Sequence, residues 1–136
     1  VALILDTGVV FAAANRQDRH HRPCRDLLYE TSEQLVVPAP TLTEIDYLTR
    51  ERLGPGAMIA LVRDIQAGAL VVEDLIEEDY ERVREVMDRY DQVGFVDASV
   101  LAICERLDEP KLATLDRRHF GMMRPRHVDA LELLPG

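Results

Sequence analysis

Cysteine is scarce in this chain. Only Cys24 and Cys104 occur in 136 residues, far apart and outside any Cys-x-x-Cys pair. No two histidines fall at zinc spacing either, so neither a disulfide framework nor a zinc module is indicated. Cys104 lies on an apolar helical stripe and reads as core packing. Cys24, beside Arg22, Pro23 and Arg25, is read the same way in preference to a reactive thiol. An excess of positive charge is missing too. Sixteen basic residues against 25 acidic ones leave a net charge of -9. General basicity therefore cannot hold nucleic acid, and any such role must be local. No apolar run approaches the ~20 residues of a membrane span, and the stretch from Val1 to Leu5 is too short for a signal-peptide core. The expectation is a soluble, cytoplasmic protein with no membrane partner. Neither a Gly-x-Gly-x-x-Gly nor a P-loop pattern is present.

What is present is a 47% hydrophobic chain of the right length for one domain, residues 1–136, with no repeat, low-complexity segment or linker to divide it. Short, continuously apolar runs alternate with amphipathic ones. Leu3–Leu5, Leu35–Val37, Leu70–Val72, Leu112–Leu115 and Ala130–Leu134 read as strands. Val9–Ala14, Pro23–Glu30, a segment opened by Thr41-x-x-Glu44 in the form of a capping box, Ala57–Gln66, Glu77–Tyr90 and Asp97–Leu107 read as helices. Strands apolar on both sides, separated by helices, imply a central, mostly parallel sheet of four to five strands with helices covering both faces: an α/β fold of three layers, α/β/α.

Ligands of such a sheet bind outside the carboxyl ends of its strands. Four acids occupy positions that would converge there: Asp6 after the first strand, Glu44 early in a helix, Asp97 opening another, and Asp116 after the fourth strand. Each has an ordinary explanation as a turn former, a capping-box partner or a charge at a helix N-terminus. Together they need more. Like charges about 4 Å apart repel by roughly 1 kcal/mol in water-like surroundings and about 4 kcal/mol at an intermediate dielectric. A cation, or protonation of one carboxyl, must offset that repulsion. Clustered carboxylates suit a hard divalent ion, and the constellation reads as a magnesium site able to activate water against a phosphodiester. Asp18, Asp46, Asp91 and Asp129 are additional acids for the periphery, Asp91 foremost because the helix before it could carry it toward Asp97.

Leu3-Ile4-Leu5-Asp6-Thr7, Pro40-x-x-x-Glu44, Gly94-Phe95-Val96-Asp97-Ala98-Ser99 and Ala113-Thr114-Leu115-Asp116-Arg117-Arg118-His119-Phe120 resemble the PIN-domain family, specifically its VapC toxins, over essentially the whole chain. The resemblance implies a PIN-like nuclease domain in which Asp6, Glu44, Asp97 and Asp116 form the acidic quartet around Mg²⁺ or Mn²⁺. Asp6 and Asp97 are the first choice as ligands, Glu44 acts through water or as a base, and Asp116 serves a second, weaker metal. Thr114, and less strongly Thr7, would support the ligands. It further implies a metal-dependent endoribonuclease cutting structured RNA such as tRNA or rRNA, a homodimer, and a VapB-like antitoxin as inhibitor. Histidines are assigned no part in the chemistry.

Two clusters of Arg and His are candidate phosphate-contacting rims. One is Arg16, Arg19, His20, His21, Arg22 and Arg25, and the other runs from Arg117, Arg118 and His119 to Arg124, Arg126 and His127. Arg16, Arg19, Arg22, Arg117 and Arg118 are the foremost RNA-binding candidates. Leu48, Leu53, Met58 and Leu61 are the expected apolar groove for a partner's amphipathic segment. Other acid-bearing α/β folds fit less well. A phosphoacceptor receiver needs a lysine after a late strand, whereas the only lysine, Lys111, precedes one. A haloacid-dehalogenase-type phosphatase needs a second aspartate where Gly8 stands. The remaining alternative is a catalytically silent PIN-like protein-binding module.

Overall fold

A computed structural model describes residues 1–136. The first strand, β1 (Ala2–Leu5), shows how the layers arise. Its side chains alternate between the two faces of the pleat. Ala2 and Ile4 pack on one side with Val83, Val86, Val100, Leu101 and Phe120, while Leu3 and Leu5 pack on the other with Val9, Val10, Cys24 and Ile45. All four residues are buried, which is why the strand reads as an unbroken apolar run.

After β1 come α1 (Thr7–Ala14), α2 (His21–Glu30), β2 (Gln34–Pro38), α3 (Thr41–Leu53), α4 (Gly56–Gln66), β3 (Leu70–Glu73), α5 (Glu77–Arg89), α6 (Phe95–Arg106), β4 (Lys111–Ala113), α7 (Arg117–Met122) and β5 (Glu132–Leu134). The sheet order is β3-β2-β1-β4-β5, and every pairing is parallel. The chain steps outward from β1 through β2 to β3, returns to β4 on the other side, and steps outward again to β5. The direction reverses between β1 and β4, so the ligand crevice of such a sheet lies at their carboxyl ends.

Several boundaries differ from the sequence reading. The fourth strand stops at Ala113 rather than Leu115, so Asp116 stands three residues beyond it and not at its close. Thr114 still donates its backbone N–H to Leu134, 2.8 Å away. The fifth strand is shorter than Ala130–Leu134, and α6 starts two residues before Asp97. The Thr41–Glu44 capping box does not form. Pro40 takes the N-cap position, the Thr41 hydroxyl donates to the Pro38 carbonyl at 2.8 Å, and Glu44 is left free to turn elsewhere. The short helix α7 is absent from the sequence reading, because six residues are too few for periodicity to register.

Both cysteines are fully buried. Burial pushes the Cys24 thiol up to about 11, which removes it from nucleophilic chemistry at neutral pH. Arginine carries much of the second helical layer. Arg106 bonds Glu73 at 2.8 Å and the almost completely buried Asp79 at 3.0 Å, and Arg82 forms a two-pronged pair with Glu105. No helix is long and apolar enough to cross a membrane.

Candidate active site

The site begins with Asp6, where the buried strand β1 becomes α1. Its backbone N–H continues the ladder by donating to Ala113 at 2.8 Å. Its carboxylate caps the helix, with Oδ1 accepting from the Thr7 N–H at 2.9 Å. Oδ2 accepts from the Thr114 hydroxyl at 2.8 Å. Two bonds therefore hold this nearly buried carboxylate in one rotamer.

The threonines link the other acids. Thr114 Oγ1, fully buried, also accepts from the Asp116 N–H at 3.0 Å, so one hydroxyl joins Asp6 to the segment that carries Asp116. Thr7 sends its hydroxyl to Glu44 Oε1 at 2.8 Å, bringing α3 against the start of α1. Asp97, in the first turn of α6, is half-buried and has His119 Nδ1 3.4 Å from its Oδ2. The same nitrogen lies 2.8 Å from Asp116 Oδ2, while Asp116 Oδ1 accepts the His119 backbone N–H at 3.0 Å. One histidine thus grips both oxygens of Asp116 and faces Asp97. Ligand atoms of Asp97, Asp116 and His119 all lie within 4.8 Å of one another.

Electrostatics tie the four acids into a single cluster. Burial is the main force raising the Asp97 carboxyl to about 6, and the charges of Asp6, Asp116 and Glu44 push the same way against the opposing pull of His119. Asp6 is also raised, chiefly by burial and then by Glu44 and Asp116, although its bonds to Thr114 and Thr7 resist the shift. Crowded, partly dry carboxylates of this kind favour either a proton or a multivalent cation. The donors fit the second choice: they are mostly carboxylate oxygens, the preference of hard divalent ions. Asp6, Asp97, Asp116 and Glu44 could hold such an ion, with Thr7, Thr114 and His119 orienting them.

His119 is the functional residue that sequence reading missed. Its signal was present as Asp116-x-x-His119 at a helix start, the spacing that lets a cap and the third helical residue meet. Supporting partners of this kind commonly change metal affinity by about 10–100-fold when removed. His119→Ala should therefore weaken Mn²⁺ binding by at least about 10-fold on that scale, read as the midpoint of metal-induced thermal stabilisation. A midpoint equal to wild type would show that Asp116 needs no such support. Asp91, by contrast, is exposed and not among the main charges acting on Asp97.

The arginine rims divide. Arg126 pairs with Glu85 at 2.9 Å and His127 Nε2 lies 2.7 Å from the Glu109 carbonyl, so this end of the second rim is committed to packing. Arg117 and Arg118, one and two residues after Asp116, donate to the carbonyls of Leu133 and Pro135 and to Gln92 respectively. Arg16, Arg19 and Arg22 lie between α1 and the first turn of α2 and are exposed. The expected apolar groove is rearranged as well. Leu61 lines a recess of about 630 Å³ with Leu28, Tyr29, Leu35 and Ala57, whereas Leu53 faces a polar cleft and Leu48 sits beside Glu44.

Comparison with known proteins places this architecture. The family model for the PIN domain matches residues 3–123. Ribonuclease VapC26 of Mycobacterium tuberculosis (strain ATCC 25618 / H37Rv) is 27% identical over 125 residues, covering 90% of this chain and 93% of that protein. Among solved structures, M. tuberculosis VapC20, a sarcin-ricin loop cleaving toxin, is similar with a TM-score of 0.78 at 21% identity, over 85% of this chain and 91% of that one. VapBC2 from Rickettsia felis, bound to a DNA fragment from their promoter, gives a TM-score of 0.69 at 16% identity over 98% and 97% of the two chains. FitAcB from Neisseria gonorrhoeae gives 0.59 at 17% identity over 85% and 88%. These structures share the fold, and the extent of the family match, nearly the whole chain from β1 to the end of α7, means that this chain belongs to the PIN domain family.

Proposed function

We propose that this chain is a Mg²⁺-dependent endoribonuclease, the toxin of a VapBC-like toxin–antitoxin pair. The observation that carries the reading is the meeting of Asp6, Glu44, Asp97 and Asp116 at the reversal point of the sheet, close enough that three of the acids help raise the fourth to about 6. Four carboxylates so placed, with a relative named as a ribonuclease, fit metal-assisted hydrolysis better than binding alone.

When bound, Mg²⁺ or Mn²⁺ at these carboxylates supplies an acidified water and offsets charge on the leaving oxygen. The chain's own residues do the positioning. Asp6, held by Thr7 and Thr114, and Asp97, on the first turn of α6, present oxygen donors from two different elements. Asp116 is oriented by the His119 side chain and N–H. Glu44 engages Thr7 through one oxygen only and is exposed, so the other is free to take a proton from an attacking water.

An antitoxin of the VapB kind would use the apolar recess bounded by Leu28, Tyr29, Leu35 and Leu61. Such a surface suits an amphipathic helix. A second copy of the chain finds an apolar stripe on α5, where Tyr80 and Met87 are exposed and Ile76 precedes them.

The test is cleavage of total RNA by wild type and Asp6→Asn, each with Mg²⁺ and with chelator. Cleavage is expected from wild type with Mg²⁺ alone. Equal cleavage by Asp6→Asn, or cleavage that survives chelation, would reject the site.

A further inference from the structure

We propose that the cleft at the carboxyl ends of α1 and α3 docks the phosphates of a folded RNA, away from the acids that cut it. This rests on the reading of the chain as a ribonuclease and gives that enzyme a second point of contact with its substrate. The cleft has a volume of about 910 Å³, and it is lined by Arg16, Arg19, His20 and Arg52 with Asp18 as its single acid. In a chain of net charge -9 that is a local reversal of sign.

The arginines are available. Arg82, Arg106 and Arg126 are tied to carboxylates, but Arg16, Arg19 and Arg52 take part in no ion pair. Asp18 is occupied, its Oδ1 accepting the His20 N–H at 2.8 Å within the turn. Helix α2 starts at the edge of the cleft, with no acid in its first turn and no side chain capping it. Its dipole adds partial positive charge there. Guanidinium groups offer planar forks that match phosphate oxygens two at a time, which an ammonium does not.

A neighbouring recess, sharing Arg16, presents Tyr29 with 82% of its surface exposed. Its acids, Asp26 and Glu30, make this recess unsuitable for phosphate, but an uncovered ring suits the face of an unpaired base. The eight residues of α1 set the cleft roughly 12 Å along that helix from Asp6. A mononucleotide cannot contact both places, whereas a stem with a loop can. Structured RNA is recognised in just these two ways, by backbone shape and by splayed bases.

The experiment measures binding of a fluorescent RNA hairpin to Asp97→Asn protein, which separates docking from cutting. Arg16→Ala, Arg19→Ala and Arg52→Ala are combined on that background, and Arg63→Ala with Arg89→Ala, at positions away from the cleft, serves as the control. Affinity at moderate salt should fall by about 10-fold or more, and the slope of log affinity against log salt by about 2, near 0.7–0.9 for each phosphate no longer neutralised. The control pair should change neither, and Tyr29→Ala should lower affinity with the slope intact. Matching melting curves verify that the triple variant is folded. A triple variant that binds the hairpin like its parent overturns the proposal and leaves the cleft to an acidic protein segment. Should wild type cut no RNA at all, the ribonuclease reading fails by itself, because the binding comparison does not depend on cleavage.

Discussion

Replacing Asp97 with asparagine should abolish RNA cleavage and, in the absence of metal, raise the melting temperature. The two effects share one cause. Asp97 is half-buried on α6 among Asp6, Asp116 and Glu44, and its carboxyl is held at about 6 by burial first and by those charges second. At neutral pH the native state therefore carries a charge that the fold disfavours. Asparagine keeps the size and removes the charge, relieving the repulsion and part of the desolvation cost. It also supplies a poor donor for a hard cation, so cleavage should fall by at least about 100-fold, the scale seen when a single electrostatic partner of a transition state is removed. Many stabilising changes act this way, by removing a group kept for function. Melting without metal and cleavage with Mg²⁺ are the measurements. A variant that melts below wild type, or still cleaves, would contradict the placement of Asp97 in the cluster.

Metal binding and pH should be coupled through the same carboxyls. A carboxyl raised in the native state favours folding while it is protonated. Its contribution is fully present below the unfolded value of 3.8 and is lost as pH rises through the folded value of about 6. Asp6 is raised too and acts in the same direction. The melting advantage of Asp97→Asn over wild type should therefore be small at pH 4 and grow up to pH 7. That difference isolates the site from the surface acids, which titrate in both proteins.

A divalent cation competes with the proton, so its effect runs the other way. At pH 8 and 100-fold above its dissociation constant it should stabilise wild type by about 2.7 kcal/mol. For a chain of this size that is roughly 10 °C. At pH 5, where Asp97 is mostly protonated, the apparent affinity falls about 10-fold and the shift at the same metal concentration should drop to roughly half. A metal-induced shift equal at pH 5 and pH 8 would mean that the cation binds elsewhere, and no shift at millimolar Mg²⁺ or Mn²⁺ would count against the cluster itself.

Much of this molecule was legible because its signals are local. A strand buried on both faces must be apolar throughout, so β1, β2 and β3 announce themselves as runs of Leu, Ile and Val, and α5 repeats its apolar residues at helical spacing with charges opposite. Alternation of such segments leads to a parallel sheet with helices on both sides, and acids just past strand ends must then lie at one edge of it. Asp6 and Asp116 follow from that reasoning without coordinates.

The rest depended on contacts between residues distant in sequence. Glu44 looked like the partner of Thr41, three residues away, yet it bonds Thr7, because Pro40 takes the cap and Thr41 turns its hydroxyl to Pro38. His119 looked like surface until α7 folded it between Asp116 and Asp97. Arg126, one of several similar arginines, became structural by meeting Glu85, while Arg16, Arg19 and Arg52, spread over two segments, came to share a cleft. The sequence by itself determined the five strands and the six longer helices, though not α7, and that four carboxylates stand near one edge of the sheet. Only the tertiary structure decided which partner each polar group takes, because a hydrogen bond depends on where two side chains end in space, and periodicity along the chain carries no record of that.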